Sequence, residues 1–371
     1  MSNFIWILGR YSALVGTLLI LLQLLLICWG KKTNIHKVNG KIALTLILIH
    51  GISMFYVYGL SVLKMDDVFK ALIALLLLIF IVITSVFVRS KLKYETWYNI
   101  HLLTYFAILL AFGHQLKLGT DFKNNIMVIF WYSAYAFTFL NVLFFKFLKL
   151  ILNFWKHQFF VEKIVRETNN VISVYLGGKN IEKFNFEPGQ YIVIRFLIKD
   201  LVWQAHPFSI SSMPGNKSLR LTIKNSGDFT SMLNTEYRLP NTKVVVDGPY
   251  GEFVASKAKQ KKILLLAGGV GVTPLRGLIE KFTALKNDVI MIYSSKSKED
   301  AIFSKELSKY KIRHFYTGGG QRLNKEALSR LVFDIKKREA YICGSEGFNR
   351  DMNSLLKGLG IQHIHLEEFS Y

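Results

Sequence analysis

The chain has 371 residues, 51 % of them hydrophobic, and a net charge of +22 from 47 Lys and Arg against 25 Asp and Glu. With a mean hydropathy of +0.29, this excludes a disordered protein, a disulfide-rich secreted module and an ordinary cytosolic globule. Half of the positive excess falls in residues 1–156, where 15 Lys and Arg and only four Asp and Glu sit mostly between long apolar runs. That is the pattern of a membrane protein with basic loops, and no nucleic-acid partner is expected.

Five apolar stretches, roughly 4–29, 34–62, 70–88, 97–116 and 126–150, are each long enough to cross a bilayer. The first is too long for a signal peptide, lacks a small-residue cleavage site and ends in Lys31-Lys32, so it reads as a transmembrane helix. One set of loop edges holds Lys31, Lys32, Lys37, Lys41, Arg89, Lys91, Lys93, Lys146, Lys149 and Lys156; the opposite set holds only Lys64, Lys70, Lys117 and Lys123. The positive-inside rule then predicts an integral plasma (inner) membrane protein. Its N-terminus is outside and everything after about residue 150 is cytoplasmic.

Histidine placement is the sharpest signal in this half. The second stretch carries His36 and His50, the fourth His101 and His114, and the two helices run in the same direction. His36 and His101 fall near the cytoplasmic face, and His50 and His114 about 20 Å further out at 1.5 Å per residue. A single histidine in an apolar helix is commonly just a buried polar residue. Four at matched depths predict two stacked bis-histidine haem sites, His36/His101 inner and His50/His114 outer. Fourteen residues return nearly to one helix face and thirteen fall short, so the fourth helix is locally overwound or its two rings approach from different angles. Gly113, beside His114, would let a haem come close to the backbone. Arg10, near the outer end of the first helix, fits two roles: snorkelling to the interface, or a cation beside the outer haem. Trp97, Tyr98, Trp131, Tyr132 and Trp155 read as interface anchors or packing. The two cysteines, Cys28 and Cys343, support no disulfide framework, and without a CxxCH no covalently attached haem is expected.

After about residue 156 the pattern changes. VISVYLGG, QYIVIRF, LRLTIKN and KVVVDGPYG alternate like antiparallel strands and suggest a small β-barrel over 157–256. From about 260, KKILLLAGGVGVTPLRGLIEKF, VIMIYSSKSKEDAIFSKEL, IRHFYTGG and AYICGSEGFNRDMNSLLKGLG read as a parallel α/β nucleotide-binding domain. AGGVGVTPL follows a strand and opens a helix, so its glycines would admit a pyrophosphate to the helix N-terminus, although the spacing is not GxGxxG. After the next strand, Ser295, Lys296 and Lys298 offer hydroxyl and cationic partners to a 2′-phosphate, which favours NADPH, with NADH possible. HPFSISS and IKNSGDFT supply a hydroxyl for a flavin N5, an aromatic face, and donors for a pyrophosphate.

HPFSISS, PGQY (188–191), IKNSGDFT, DGPYG (247–251), AGGVGVTPL, ICGSEGFNRDM and the terminal EEFSY together resemble the ferredoxin-reductase-type flavoprotein module. IHKVNGKIALTLILIHG and WYNIHLLTYFAILLAFGH resemble the ferric-reductase-like transmembrane domain. In this order, over nearly the whole chain, the combination resembles the NADPH oxidase/ferric reductase family, specifically its compact bacterial members. Respiratory cytochrome b also stacks two bis-histidine haems but lacks a flavin module.

The resemblance implies a multidomain fold. An all-α bundle of five transmembrane helices with two b-type haems (1–156) precedes an antiparallel β-barrel for FAD (157–258) and an α/β parallel-sheet domain for NADPH (259–371). It puts His206 and Thr230 on the FAD pyrophosphate, Phe208 and Tyr191 beside the flavin and Ser209 near N5, with Pro207, Ile223, Lys224 and Gly227 completing the site. Gly268, Gly269, Gly271 and Thr273 would line the NADPH phosphates, with Val272, Pro274, Ser295, Lys296 and Arg322 in the same site and Cys343 and Gly344 near the nicotinamide. Phe369 matches the near-terminal aromatic that covers the flavin, or simply packs the C-terminus. Cys343, Phe369, Ser209 and Arg10 are thus the residues nearest the chemistry.

The implied activity is a transmembrane NADPH oxidase forming superoxide from oxygen at the outer face. Alternatives are a ferric or other metal reductase, or a subunit feeding electrons to an extracytoplasmic partner. Outer loops short of Cys, His and carboxylate beyond Asp66, Asp67 and Asp121 lean toward a small diffusible acceptor. Many eukaryotic members have six helices; the pattern here is expected to correspond to the last five, with no calcium loop or regulatory extension read in it, so no obligatory cytosolic activator is expected.

Overall fold

The computed structural model describes residues 2–29, 33–92, 94–119, 124–199, 201–235 and 239–368. The chain divides into two compact units, 1–149 and 150–371.

The first unit holds α1 (Ser2–Trp29), α2 (Thr33–Tyr58), α3 (Asp66–Ile83), α4 (Tyr94–Leu118) and α5 (Asn125–Leu143). Four helical stretches, Ser2–Trp29, Ile35–Tyr58, Asp66–Val88 and Asn125–His157, are long and apolar enough to cross a membrane. The fourth expected span, α4, has the length, but Asn99, His101, His114, Gln115 and Lys117 dilute its apolar character. The first pair packs closely, with α2 side chains seated on α1 glycines: a Cβ at Gly9 would stand 2.5 Å from Met54 Cε, and one at Gly16 2.8 Å from Ile47 Cδ1. Small residues let membrane helices approach in this way. Gln23 and Asn39 add polar ties, with Asn39 Nδ2 donating to Leu19 O and Gln23 Oε1. Between α3 and α4, Lys117 pairs with Asp67 at one end and Trp97 Nε1 donates to Ser85 at the other. Against α1, α5 is pinned by the Trp29–Asn141 hydrogen bond.

Two helices here lose α-helical form near their ends. Past Ile83 the chain makes a π-helical turn, Thr84–Val88, at the close of the β-branched run Ile81-Val82-Ile83-Thr84. The second π-helical turn, Phe144–Leu148, joins α5 to α6 (Lys149–His157).

In the second unit the chain runs β1 (Phe160–Thr168), β2 (Val171–Gly177), β3 (Tyr191–Phe196), β4 (His206–Ser209), β5 (Leu219–Lys224), α7 (Asp228–Thr235) and β6 (Val244–Tyr250). These strands form two antiparallel three-stranded sheets, β1-β2-β5 and β4-β3-β6. Bridges at Phe160–Lys243 and Ile210–Leu221 join them around one apolar core that includes Val174, Ile192, Ile194, Phe196 and Leu221.

Next come β7 (Lys262–Gly268), α8 (Val272–Ala284), β8 (Asp288–Ser295), α9 (Ser304–Leu307), β9 (Ile312–Tyr316), α10 (Lys325–Leu331), β10 (Glu339–Gly344), α11 (Glu346–Gly358) and β11 (Ile364–Glu368). They build a parallel sheet in the order β11-β10-β7-β8-β9. Strands β7 and β10 are covered on both faces, by α8 on one side and α10 and α11 on the other, so they read as unbroken apolar runs. The carboxyl ends of the strands, at Gly268, Ser295, Gly344 and Glu368, form the edge at which open α/β sheets take ligands.

One ion-pair node ties this sheet to the antiparallel half. Arg220 on β5, buried, makes a bidentate pair with Glu306 at 2.6 and 3.0 Å, and Glu306 also accepts from Arg276 of α8 at 3.1 Å.

Candidate functional site

In the first unit, α2 and α4 face each other through two pairs of imidazoles. The ring centres of His36 and His101 are 6.2 Å apart and tilted by 60°; those of His50 and His114 are 6.4 Å apart and tilted by 61°. A metal between two imidazoles, at about 2.0–2.1 Å per bond and with each nitrogen about 1.1 Å from its ring centre, needs centres about 6.3 Å apart. The ring-centre separation in each pair is thus the one that a single metal ion between two imidazoles would need. Among the described residues, no three His, Cys, Asp or Glu gather in a cluster that could hold a metal ion.

The atoms behind the rings bear on their tautomers. His50 Nδ1 lies 2.9 Å from the Gly9 carbonyl, which only accepts, so Nδ1 carries the proton and Nε2 keeps the lone pair a metal needs. His101 Nδ1 faces Ser85 Oγ at 3.4 Å instead. α4 is α-helix throughout, the thirteen-residue step from His101 to His114 included. A Cβ at Gly113 would meet no atom within 4 Å, leaving that side of the helix open. Arg10 follows Gly9 directly and stands against the rings of Trp6 and Tyr11, at 5.5 and 5.8 Å.

In the second unit the FAD candidates gather on β3, β4 and the start of α7. Tyr191 pairs across the strands with Ser209, and Ile192 with Phe208. The His206 ring lies 3.9 Å from Phe229, on which Phe208 also stacks at 6.2 Å. Pro207 is exposed between them. Thr230 has its hydroxyl engaged locally: it accepts from the backbone N–H of Ser226 and Gly227 and donates to Gly227 O. That bonding shapes the turn carrying Gly227. Ile223 is 2 % exposed, and its side chain belongs to the core; Lys224, the next residue, is exposed.

The nucleotide candidates line the carboxyl edge of the parallel sheet. Gly269 is exposed with φ +54°, a left-handed conformation that favours glycine. Gly271 is buried under β10, where a Cβ would overlap the Cys343 carbonyl. Val272, Thr273 and Pro274 are buried at the start of α8, so this turn has its backbone and not their side chains to offer a phosphate. Gly268 and Gly344 both make room for the ring of Phe348, which would clash with a Cβ on either. Ser295 Oγ donates to Ser297 O, and Lys296 is exposed at the strand end with its carbonyl bound by Gly318 N–H. Arg322 is exposed in the loop after β9.

Cys343 is fully buried, and burial, with Glu367 nearby, pushes its thiol up. Its register partner on β11 is Glu367. Burial, with Glu368 beside it, holds the Glu367 carboxyl up to about 7. Tyr191 is pushed up to about 12 by burial and then by the charges of Glu367 and Asp247. Glu367 thus lies close enough to act on both Tyr191 and Cys343. Glu367 and Phe348 lie inside the motifs EEFSY and ICGSEGFNRDM but carry no assignment from sequence; nor does Arg220. Phe369 lies outside the described residues, as do Lys31, Lys32, Lys93, Asp121 and Lys123.

Comparison with known proteins gives this geometry a context. Residues 157–254 match the FAD-binding domain family and residues 265–354 the oxidoreductase NAD-binding domain family. The chain is 28 % identical over 229 residues to flavohemoprotein A of Dictyostelium discoideum, covering 55 % of this chain and 57 % of the relative. It is 27 % identical to the glycine betaine monooxygenase reductase subunit of Chromohalobacter salexigens, covering 58 % and 64 %. It therefore spans about three fifths of the length of the curated relatives it matches. Among solved structures, the Amycolatopsis cytochrome P450 reductase GcoB shares the fold at 18 % identity and a TM-score of 0.51, over 58 % of this chain and 70 % of that one. A ferredoxin NADP+ reductase from Neisseria gonorrhoeae does so at 16 % identity and 0.50, over 58 % and 98 %. The second unit is a FAD- and NAD(P)H-binding oxidoreductase module. Residues 6–112 match the ferric reductase like transmembrane component, so the chain has a ferric reductase/NADPH oxidase-like domain architecture.

Proposed function

We propose that the protein is a transmembrane NADPH oxidase, taking electrons from NADPH on the cytoplasmic side and delivering them to oxygen at the outer face as superoxide. The observation that carries this is the two iron-sized imidazole pairs on a chain that continues into a FAD and NAD(P)H module. When bound, FAD splits a hydride pair into single electrons and two b-type haems relay them across a hydrocarbon layer of about 30 Å. His36 and His101 hold the inner haem and His50 and His114 the outer. A haem held by two histidines would leave oxygen no place to bind iron directly, and the chemistry it would supply is one-electron transfer, which favours superoxide over water. Arg10, next to the residue that binds His50, offers a cation to a propionate or to the reduced acceptor.

In the cytoplasmic module the strand pair β3–β4 brings Tyr191, Phe208 and Ser209 to the flavin side, and the backbone amides at the start of α7 serve the pyrophosphate. The Gly269–Gly271 turn and α8 receive the NADPH phosphates. Lys296, at a strand end with no carboxylate at that position, suits a 2′-phosphate. Residues 1–156, 157–258 and 259–371 are the di-haem, FAD and NADPH domains, the N-terminus lies outside, and no cytosolic activator is required.

The test uses detergent-purified protein with FAD and NADPH. Haem reduction without oxygen, then cytochrome c reduction on admitting oxygen that superoxide dismutase abolishes, is the expected result. Haem reduction that survives oxygen but is discharged by a ferric chelate would move the assignment to a metal reductase, the reading favoured by the match over residues 6–112. Turnover only on adding a surface protein would make it a feeding subunit, and no haem reduction by NADPH would end the proposal.

A further inference from the structure

The π-helical turn at Thr84–Val88 sits beside α4 close to one of its histidines. Such a turn holds an extra residue and re-aims the side chains within it. Here it presents Ser85, whose Oγ accepts from Trp97 Nε1 at 3.1 Å and lies 3.4 Å from His101 Nδ1. Trp97 is one helical turn before His101, and the two rings stack at 5.3 Å and 27°. The Arg89 guanidinium, just past the π turn, lies 4.7 Å from the centre of the Trp97 ring. His50, on the other pair, has a backbone carbonyl behind it instead.

The chemistry of these donors narrows their roles. An indole N–H only donates, so one Ser85 lone pair is committed to Trp97. A neutral imidazole that binds iron through Nε2 carries its proton on Nδ1, and the nearest group to receive it is the same Ser85 oxygen. Ser85 then accepts two hydrogen bonds, and the two donors compete.

We propose that Ser85 is the positioning residue of His101: its hydroxyl, shared with Trp97, orients the imidazole and sets how much electron density the ligand gives to iron. This rests on the di-haem reading above. An acceptor behind a histidine ligand raises its basicity and so favours ferric over ferrous iron. Removing the acceptor raises the midpoint potential of that haem. Removing the competing indole N–H leaves Ser85 to His101 alone and lowers it.

The experiment is a spectroelectrochemical titration of full-length, haem-loaded protein, with electron paramagnetic resonance of the ferric state, for wild type, Ser85→Ala, Ser85→Thr and Trp97→Phe. Two haem waves are expected in the wild type. Ser85→Ala should move one wave upward, Trp97→Phe should move the same wave downward, Ser85→Thr should leave it nearly in place, and the other wave should stay fixed. The expected size is a threefold to tenfold change in the ferrous-to-ferric ratio at a set potential; tenfold is about 59 mV for one electron. A packing role alone would not give opposite signs. Two waves that stay put in both Ser85→Ala and Trp97→Phe, or that shift together, would overturn the role of Ser85. If Ser85→Ala loses its haem, the sign of the Trp97→Phe shift decides. A wild type with no b-type spectrum would overturn the di-haem reading and this role with it.

Discussion

The two units of this chain carry their chemistry in opposite ways. In the first, candidate ligands are side chains on two regular helices, and each site is two residues deep. In the second, the candidate site is assembled from strand ends, a glycine turn and a carboxylate on the last strand, none of which is sufficient alone. A site made of a few ligands should fail all at once when one is lost. A site made of many backbone contacts should fail by degrees, in proportion to how far the fold is disturbed.

The largest expected effect tests the first half of that statement. His101→Ala should abolish the spectrum of one haem and cut NADPH-driven reduction at the outer face by at least about 100-fold, or some 2.7 kcal/mol of barrier. Reduction of a soluble dye by NADPH, which needs only the second unit, should stay within about twofold of wild type. A parallel loss of dye reduction would mean that the two units do not work separately.

Gly271→Ala is the counterpart in the second unit. Its new Cβ would overlap the Cys343 carbonyl, so either α8 or the end of β10 must move. Overpacking of this kind costs about 1–3 kcal/mol, and the turn proposed to receive the nucleotide shifts with it. The expected outcome is a lower Tm and a KM for NADPH raised by roughly tenfold, with both haem spectra unchanged. A normal KM would show that the turn tolerates the displacement.

Arg220→Ala should cost about 2 kcal/mol of stability, below the usual toll of breaking a buried pair, and should affect the nucleotide site less directly. The arginine is buried, but Glu306 keeps 39 % of its side-chain surface exposed and can be rehydrated. Since the pair links the antiparallel sheets to the parallel one, dye reduction should fall along with Tm. A stability loss without any rate loss would make the node a staple and nothing more.

These contrasts also explain what could be read from sequence. The four histidines are legible because a helix repeats every 3.6 residues and depth follows directly from numbering. The strand patterns from 157 onward are legible for a different reason: half-buried strands alternate, and β7 and β10 are apolar throughout because both their faces are covered. Ser85 is not, because a π turn breaks the periodicity on which such reading depends. Glu367 is hidden for another reason: only the sheet order places β11 beside β10, and with it a carboxyl next to Cys343. Ile223 and Thr230 show the reverse, since a motif marks their segment while packing and turn bonding claim their side chains. Gly268 and Gly344 are singled out by sequence as nucleotide-site residues, and in the fold it is the Phe348 ring that occupies the space a side chain on either would need.

Glu367 offers the finest test, because its effect follows from charge alone and leaves the backbone in place. Its folded pKa of about 7 lies above the roughly 4.3 of a carboxyl in an unfolded chain. Between those values the folded state binds more protons than the unfolded one, so stability falls as pH rises from about 4.3 to 7 and is flat in this contribution beyond. At about 1.4 kcal/mol per unit the difference is at most about 4 kcal/mol. Glu367→Gln keeps the shape and removes the proton exchange, so a plot of Tm against pH should lose that downward slope, and the variant should be the more stable protein above pH 7. The same substitution removes a negative charge facing Tyr191, whose hydroxyl should then titrate lower than in the wild type. If the slope survives in Glu367→Gln, the carboxyl is solvated and its neighbours set the pH response. Loss of the slope with dye reduction intact would assign Glu367 to stability, whereas loss of both would tie its proton to the chemistry between nicotinamide and flavin.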